Sequence, residues 1–554
     1  MSAPSYALGL DFGTGSVRAL IVDIHTGAEV GTAVSAYPSG EEGVIISADD
    51  PNLARQNPYD YLRCMSEVIR GALADARRSD ADVAARIVGI GVDTTGSSPM
   101  PVDASNQPLA NDGRPDTMVW LWKDHTSFAE AAEITAKAAE QGQPYLAKCG
   151  GVYSSEWFWS KALRCLRVAP DVIESAASWV EIADWIPSQL AGISDPALIV
   201  RGVCQAGHKA MYSADWGGLP SEDFLHTLDP RLAALRSRLY TSAAPSNQLA
   251  GRLSSEWAAD TGLPEGIPIA VGALDAHFGA VGGGIRDGVF VKIMGTSTCD
   301  IAVVSRERGV PDIPGLCGIV DGSVIPGMIG LEAGQSAVGD IFNWFVREFG
   351  PLNEDGHRVF AEQAAKLRPG ESGVVALDWN NGNRTVLVNP LLTGLLVGQT
   401  LHTTPAEIYR AMIEATAFGA RKIIERMVEY GVPIEAVINC GGIAEKSPLA
   451  MQIYADVCNR PMHVSGSPQT CAKGAAIFGA VVAGAHATVE QAQAAMAAPV
   501  ALTYMPNPSA VAVYEQLYQI YTKLHDAFGI RGAMVDLSDV MPDLIALRQS
   551  VRRG

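Results

Sequence analysis

Two short turns in the chain combine glycines with hydroxyl side chains, a composition suited to holding phosphate. The first, residues 13–16 (GTGS), follows Asp11 at the end of an apolar run, and the second, residues 295–298 (GTST), follows a similar run much later. Glycines let the backbone approach a ligand, and successive N–H groups form an anion pocket. Asp11 would repel a bare phosphate but would attract a hydrated Mg²⁺ beside one. The alternative for the first turn is an ordinary hairpin turn.

One acid stands alone at the start of a small-residue segment. Asp275, in GALDAHFGA, is the only acid between Glu265 and Asp287. An aspartate in such a turn is often only the N-cap of a helix. The other interpretation is a general base at a helix start beside a cleft, where it accepts the proton of an attacking hydroxyl.

Other polar residues lie where small or apolar neighbours leave room for a ligand. Lys209 stands among alanines and a glycine, and Glu332 lies in a Gly-rich, mostly apolar stretch where an unpaired acid is costly. The run 93–98 (DTTGSS) follows a buried strand, where α/β folds place ligand contacts. Asp124 lies in VWLWKDHT, whose interleaved tryptophans and charges form either an edge of the core or a sugar-binding wall.

The elements that must position these residues follow from the apolar pattern. Residues 6–22 and 289–304 each predict a strand, a tight turn and a second strand. Two such hairpins, almost half a chain apart, predict duplicated domains that face one cleft and hold a polyphosphate between them. Residues 436–464 predict a strand, a turn at Gly441 and Gly442, a helix and another strand, and the turn suits a nucleoside lying on the backbone. The Walker pattern GxxxxGK[ST] does not occur, which argues against a P-loop enzyme.

Composition sets the broad class. The chain has 554 residues, 48% of them hydrophobic and 18% charged, which predicts a packed globular protein of at least two domains. A net charge of −19 argues against a general nucleic-acid surface, which needs a positive field. Nine irregularly spaced cysteines without a CxxC motif predict reduced thiols. The N-terminus lacks secretory features and the small-apolar run 474–485 is too short to span a bilayer, so we expect a cytoplasmic protein without membrane association.

With these pieces placed, the sequence resembles the FGGY family of carbohydrate kinases from about residue 6 to about residue 484. The stretches that carry the resemblance are LDFGTGSVR, GVDTTGSSPMPVD, LWKDHT, GGVYSSEWFWSK, GHKAMY, GALDAHFGAVGGG, KIMGTSTCD, MIGLEAGQSAVGD and CGGIAEKSPLAMQIYADV. The resemblance implies an α/β fold of two actin-like (ribonuclease H-like) ATPase domains with a central cleft. It implies an N-terminal, sugar-binding domain over residues 1–283 and a C-terminal, nucleotide-binding domain over residues 284–554.

The resemblance also implies site residues, position by position. Asp275 matches the catalytic base and contacts the substrate. Further substrate-binding positions match at Gly96, Lys209 and Glu332, with Asp124 as a weaker candidate for the same wall. The nucleotide-binding positions match at Asp11, Thr14, Ser16, Gly295, Thr296, Gly441, Gly442 and Lys446. ATP and Mg²⁺ are the implied cofactors, and Asp11 is expected to contact the metal through water.

The implied activity is phosphorylation of the 5-hydroxyl of L-ribulose by MgATP, a step of L-arabinose catabolism. The stretches LWKDHT, GHKA and LEAGQSAVGD favour L-ribulose over the substrates of sister kinases, which act on xylulose, ribitol or glycerol. An alternative from another class is a non-catalytic, actin-like ATP-binding module that needs no acid at position 275. Family members are often dimers, so a homodimer is possible by analogy alone.

Overall fold

Two seven-stranded sheets form the centre of the molecule, one in each half of the chain. The computed structural model describes residues 4–110, 113–351 and 355–553. The strands of this part are β1 Tyr6–Phe12, β2 Ser16–Asp23, β3 Glu29–Ala36, β4 Ile45–Ile46, β5 Ala54–Gln56, β6 Ile87–Thr94, β7 Pro99–Val102, β8 Val119–Trp120, β9 Ser178–Glu181, β10 Leu249–Arg252, β11 Pro268–Ala270, β12 Ala273–Leu274, β13 Gly288–Met294, β14 Thr298–Ser305, β15 Gly318–Asp321, β16 Met328–Ala333, β17 Val375–Leu377, β18 Leu395–Val397, β19 Ile434–Cys440, β20 Met462–Ser465 and β21 Val500–Tyr504. The helices are α1 Pro58–Ala76, α2 Phe128–Glu140, α3 Phe158–Val168, α4 Pro170–Ser175, α5 Ile182–Leu190, α6 Val203–Ala210, α7 Glu222–Leu228, α8 Pro230–Arg236, α9 Ser255–Thr261, α10 Asp275–Gly282, α11 Gly339–Phe349, α12 Gly356–Ala364, α13 Pro405–Glu429, α14 Gly442–Lys446, α15 Pro448–Cys458, α16 Thr470–Val482, α17 Val489–Met496, α18 Pro508–Gly529 and α19 Val540–Arg553.

The first sheet is built around the hairpin predicted at the start of the chain. Its strand order is β10–β11–β6–β1–β2–β3, and β12 also pairs with β6. β1 pairs antiparallel with β2 and parallel with β6, so Asp11 lies opposite both Arg18 and Asp93. β12 runs parallel to β6 and leads directly into α10. Because β1, β6 and β12 run in the same direction, their carboxyl ends meet at one edge, together with Asp275.

The second sheet begins in the same way. Its strand order is β15–β16–β14–β13–β19–β20–β21. β13 pairs antiparallel with β14 and parallel with β19, as β1 does with β2 and β6. The second hydroxyl-rich turn therefore occupies the place in this sheet that the first turn occupies in the other. The predicted α/β class with two related domains is confirmed.

Two small-residue helices, α10 and α16, pack together between the sheets. α16 comes from the second half of the sequence but lies against β1 and β6 of the first. Glycines make this approach possible, since a Cβ at Gly9 or Gly91 would overlap the carbonyl groups of Ala472 and Ala475. Apolar side chains of both helices share one buried cluster with residues of both sheets. The small residues of α16 thus allow the two halves of the chain to pack together.

The cysteines fit the compositional expectation of reduced thiols. All nine cysteines are unpaired. Among the described residues, no helix is both long enough and apolar enough to cross a bilayer.

Candidate active site

A cavity of about 750 Å³ lies between the two sheets, and most predicted site residues line it. The first half contributes Thr14, Gly96, Lys209 and Asp275, and the second half contributes Gly295, Thr296 and Glu332. These positions are spread over more than 300 residues of sequence, so the fold alone brings them together. The cavity is large enough for a small ligand with a polar end.

Asp275 occupies the first position of α10, at the edge of the first sheet. Its side chain is partly exposed to the cavity, and one carboxylate oxygen accepts a hydrogen bond from the N–H of Ala276 at 2.6 Å. Burial by the surrounding protein and the charge of Asp11 raise the pKa of Asp275 to about 7. A carboxylate with a pKa near neutrality, open to a ligand cavity, is suited to accept a proton at physiological pH.

Asp11 and Asp93 form a buried acidic pair beside Asp275. They are partners in the parallel pairing of β1 and β6, and Arg18 lies 3.3 Å from Asp11. Burial, together with the charges of Asp11 and Asp275, raises the pKa of Asp93 well above its ordinary value. Apart from its contact with Asp11, the Asp93 carboxyl group has no hydrogen-bond partner in the described part of the chain. Two carboxyl groups side by side would suit a hydrated Mg²⁺, because hard cations take carboxylate ligands.

The first hydroxyl-rich turn, residues 13–16, is fixed by hydrogen bonds within the turn and from Trp122. The N–H of Gly13 donates to the carbonyl of Ser16 at 3.0 Å and closes the turn. The indole N–H of Trp122 donates to the hydroxyl of Thr14 at 3.0 Å. Ser16 begins β2 and is half-buried, outside the residues that line the cavity. Thr14 therefore reaches the cavity, and Ser16 lies at its margin.

The second hydroxyl-rich turn, residues 295–298, is fixed by backbone hydrogen bonds from the start of α11. The N–H of Gly295 donates to the carbonyl of Ser297 at 2.9 Å. The carbonyl of Thr296 accepts from the N–H groups of Val338, at 2.8 Å, and of Asp340, at 3.1 Å. Gly295 and Thr296 themselves are exposed, which leaves the Thr296 hydroxyl free to face a ligand.

The predicted nucleotide segment lies beside this second turn. Gly441 adopts φ 96°, and a Cβ there would meet the carbonyl of Met294, so the position requires glycine. Gly442 and Lys446 are exposed at the two ends of α14, outside the residues that line the central cavity. A second cavity, of about 640 Å³, runs along α11 and shares Asn381 with the first. The site therefore extends beyond the central cavity on the side of the second sheet.

Lys209 and Glu332 form an ion pair across the cleft. The ammonium of Lys209, on α6, lies 2.9 and 3.1 Å from the two carboxylate oxygens of Glu332, on β16. Burial disfavours the ionised form of both side chains, but the attraction of the oppositely charged partner is stronger than this effect. The pKa of Glu332 consequently lies well below its ordinary value, and that of Lys209 lies above. Both groups are charged at neutral pH, and both line the cavity.

The structure places Asp124 away from the cavity, contrary to the expectation of a sugar contact. Its side chain is 0% exposed and pairs with Arg55. It also accepts hydrogen bonds from the N–H of Ala54, at 2.8 Å, and the hydroxyl of Thr126, at 2.6 Å. All these partners stabilise the protein interior. Of the same stretch, Trp122 and His125 line the cavity.

Several cavity residues were not predicted from the sequence. Arg384, from the second half, and Glu156, from the first half, both line the cavity. They lie 3.7 Å apart and make a second ion pair between the halves.

Asp93 was included in a polar run at a strand end, but its pairing with Asp11 depends on the strand register. The one available signal was its place just past a buried strand.

Two related sheets that hold hydroxyl-rich turns toward a shared cleft define a protein of the actin-like ATPase fold. The cavity also holds the Asp275 carboxyl group and the Lys209–Glu332 pair, an arrangement that fits a phosphotransferase. Family models for the N-terminal and C-terminal domains of the FGGY family of carbohydrate kinases match residues 6–282 and 290–483. The chain belongs to the FGGY family of carbohydrate kinases.

Individual relatives agree over nearly the whole chain. A ribulokinase of Vibrio parahaemolyticus serotype O3:K6 is 43% identical over 544 residues, which cover 94% of this chain and 95% of the relative. A ribulokinase of Geobacillus thermodenitrificans is 41% identical over 570 residues, which cover 99% and 98%. The crystal structure of a xylulose kinase from Rhodospirillum rubrum superposes with a TM-score of 0.78 at 23% identity, covering 94% of this chain and 98% of that one. This last likeness concerns the fold.

Proposed function

We propose that this carbohydrate kinase transfers the γ-phosphoryl group of MgATP to the 5-hydroxyl of L-ribulose. The acceptor follows from the ribulokinases that are 40% or more identical over nearly the whole chain. One observation carries the chemistry. Asp275, the two hydroxyl-rich turns and the Lys209–Glu332 pair all face a single cavity between the halves.

Asp275 acts as the general base in this proposal. The attacking hydroxyl gives its proton to the Asp275 carboxylate as its oxygen bonds to the γ-phosphorus and the bond to the leaving ADP oxygen breaks. With a pKa near 7, Asp275 is ionised in a large share of molecules and is still basic enough to hold the proton. Positioning and charge neutralisation supply most of the acceleration in phosphoryl transfer.

The Lys209–Glu332 pair selects the acceptor. The ammonium of Lys209 donates to sugar oxygens, and the Glu332 carboxylate accepts from sugar hydroxyls. Gly96 lines the same cavity, and a Cβ there would overlap the side chain of Leu274. A site built from buried polar groups rejects an analogue that leaves them unpaired more strongly than an apolar pocket could.

The two turns and the acidic pair receive the nucleotide. The hydroxyls of Thr14 and Thr296 hold the terminal phosphates from opposite sheets, and the turn at Gly441 and Gly442 receives the nucleoside. Asp11, with Asp93 behind it, would hold Mg²⁺ through water. When bound, the metal neutralises charge on the β- and γ-phosphate oxygens. We further propose a homodimer in the cytoplasm, for which light scattering of the purified protein is the direct test of assembly.

An assay of ADP release with a panel of acceptors tests the proposed function. L-ribulose, D-xylulose, ribitol and glycerol are compared at equal concentration with MgATP, and a reaction without acceptor serves as the control. We expect L-ribulose to give the highest kcat/KM and ADP release to depend on it. Preference for another acceptor would replace the substrate assignment. Slow ATP hydrolysis that ignores every acceptor would overturn the kinase chemistry.

A further inference from the structure

Two buried histidines lie directly behind the Lys209–Glu332 pair. His208 is the neighbour of Lys209 on α6, and His277 lies on α10, two residues after Asp275. The two rings are 4.5 Å apart between centroids, and each side chain is 1% exposed or less. Nδ1 of His208 lies 3.3 Å and Nε2 of His277 lies 3.5 Å from the same oxygen, Oε2 of Glu332.

These two ring nitrogens have no hydrogen-bond partner in the described part of the chain. The opposite nitrogen of His208, Nε2, lies 3.1 Å from the hydroxyl of Ser323. A buried N–H without an acceptor costs the full loss of its hydration, on the order of 1–3 kcal/mol. Both nitrogens already lie within hydrogen-bond distance of Oε2, so a small rotation of each ring would align its N–H with this acceptor. Oε2 of Glu332 is therefore the acceptor that both imidazoles face.

The backbone around His208 leaves it little freedom. A Cβ at Gly318, on β15, would overlap Nδ1 of His208, and a Cβ at Gly207 would overlap Val320. α6 of the first half therefore packs closely on the second sheet because both positions are glycine. The side chain of Glu332, from the second half of the chain, therefore lies against three side chains of the first half, Lys209, His208 and His277.

A metal ion is the other chemistry that this cluster suggests. Ligand atoms of Cys204, His208 and His277 lie within 4.8 Å of one another. The surroundings disfavour a cation, however, because the Lys209 ammonium already lies 2.9 Å from the adjacent carboxylate. Burial also raises the pKa of the Cys204 thiol, which opposes the thiolate that a metal requires.

We propose that His208 and His277 are positioning residues that orient the Glu332 carboxylate for binding the sugar. Their N–H groups engage Oε2, which Lys209 also contacts, and Oε1 is left to Lys209 and a sugar hydroxyl. Since His277 shares α10 with Asp275, it also links the sugar contact to the base. The inference rests on the proposed function, in which Glu332 binds the sugar.

Calorimetric titration of L-ribulose into the nucleotide-free, full-length protein tests the role of each imidazole. We expect H208L and H277L to weaken binding about 10-fold or more, the loss of one hydrogen bond to a charged group. H208N keeps an N–H near the Nδ1 position and H277Q keeps one near Nε2, so each should stay within about 3-fold of wild type. C204A, a buried neighbour one helical turn from His208, is the matched control and should bind normally. Should the leucine variants not fold, H208Q and H277N take their place, because their amides are displaced from Glu332 and should weaken binding equally.

A double-mutant cycle with Glu332→Gln shows whether the histidines act through Glu332. We expect H277L to cost at least 10-fold in the wild-type background and about 2-fold or less in the E332Q background. Equal losses in both backgrounds, or amide variants as weak as the leucine variants, would overturn the inference. Stoichiometric zinc in the purified protein with loss of binding in C204A would replace it with a metal site. Failure of the wild-type protein to bind any acceptor would instead overturn the proposed function.

Discussion

Replacing Asp275 by asparagine should remove catalysis and, at the same time, stabilise the protein in a pH-dependent way. Asparagine has nearly the same shape but cannot accept the proton of the sugar hydroxyl. Loss of a general base costs on the order of 10²–10⁴-fold in turnover. Sugar affinity should change little, because Lys209 and Glu332 are untouched.

The stability effect follows from the raised pKa. Asp275 moves from an ordinary value of 3.8 to about 7 in the folded protein. The folded state therefore holds a proton that the unfolded state has lost between about pH 4 and pH 7, and stability falls as pH rises through that window. Since one pKa unit corresponds to about 1.4 kcal/mol, the rise of about 3 units in the pKa lowers the free energy of unfolding by up to about 4 kcal/mol above pH 7. The D275N variant avoids this destabilisation, because asparagine has no ionised form that must be buried.

The assay is the melting temperature of wild type and D275N at pH 4.5, 6 and 8, without nucleotide or divalent metal. We expect the variant to gain several degrees at pH 8 and only about a quarter of that gain at pH 4.5. Turnover of both proteins with L-ribulose and MgATP is measured in parallel. A stability difference independent of pH would refute the burial argument, and near-normal turnover of D275N would refute the role of Asp275 as base.

Three further predictions follow from the site. Glu332→Ala should raise KM for L-ribulose at least 10-fold and leave KM for MgATP within about 3-fold, since Glu332 pairs with Lys209 at the sugar end; an effect confined to MgATP would contradict this placement. Asp124→Asn should lower the melting temperature and leave KM for the sugar unchanged, because the carboxylate pairs with buried Arg55; a selective rise in that KM would restore Asp124 to the sugar wall. Removal of divalent metal with EDTA should abolish transfer, and added Mg²⁺ should restore it through Asp11 and Asp93; full activity in EDTA would contradict the role of the acidic pair.

The fold and much of the site could be predicted because their signals are local. Each hydroxyl-rich turn lies between two apolar strands, and the repetition of this hairpin predicts a second, related sheet. Asp275 was recognisable as the single acid at the start of a small-residue helix. These features depend on neighbouring residues and strand periodicity, which a sequence displays directly.

The remaining features depend on contacts between distant segments. Asp124 looked like part of a sugar wall, but its environment is set by Arg55, which is 69 positions away in sequence. Asp93 meets Asp11 only through the register of β1 and β6. His208 and His277 lie near Glu332 only because the two halves of the chain pack against each other. Local pattern cannot distinguish a buried partner from a ligand contact in such cases.

Identification of the phosphorylated product tests the central claim most directly. L-ribulose labelled with ¹³C is incubated with MgATP and the protein, and phosphorus and carbon NMR spectra of the products are recorded. We predict one sugar phosphate per ADP, with phosphorus coupled to carbon 5. Free phosphate without a sugar phosphate, or a phosphate on another carbon, would contradict the account.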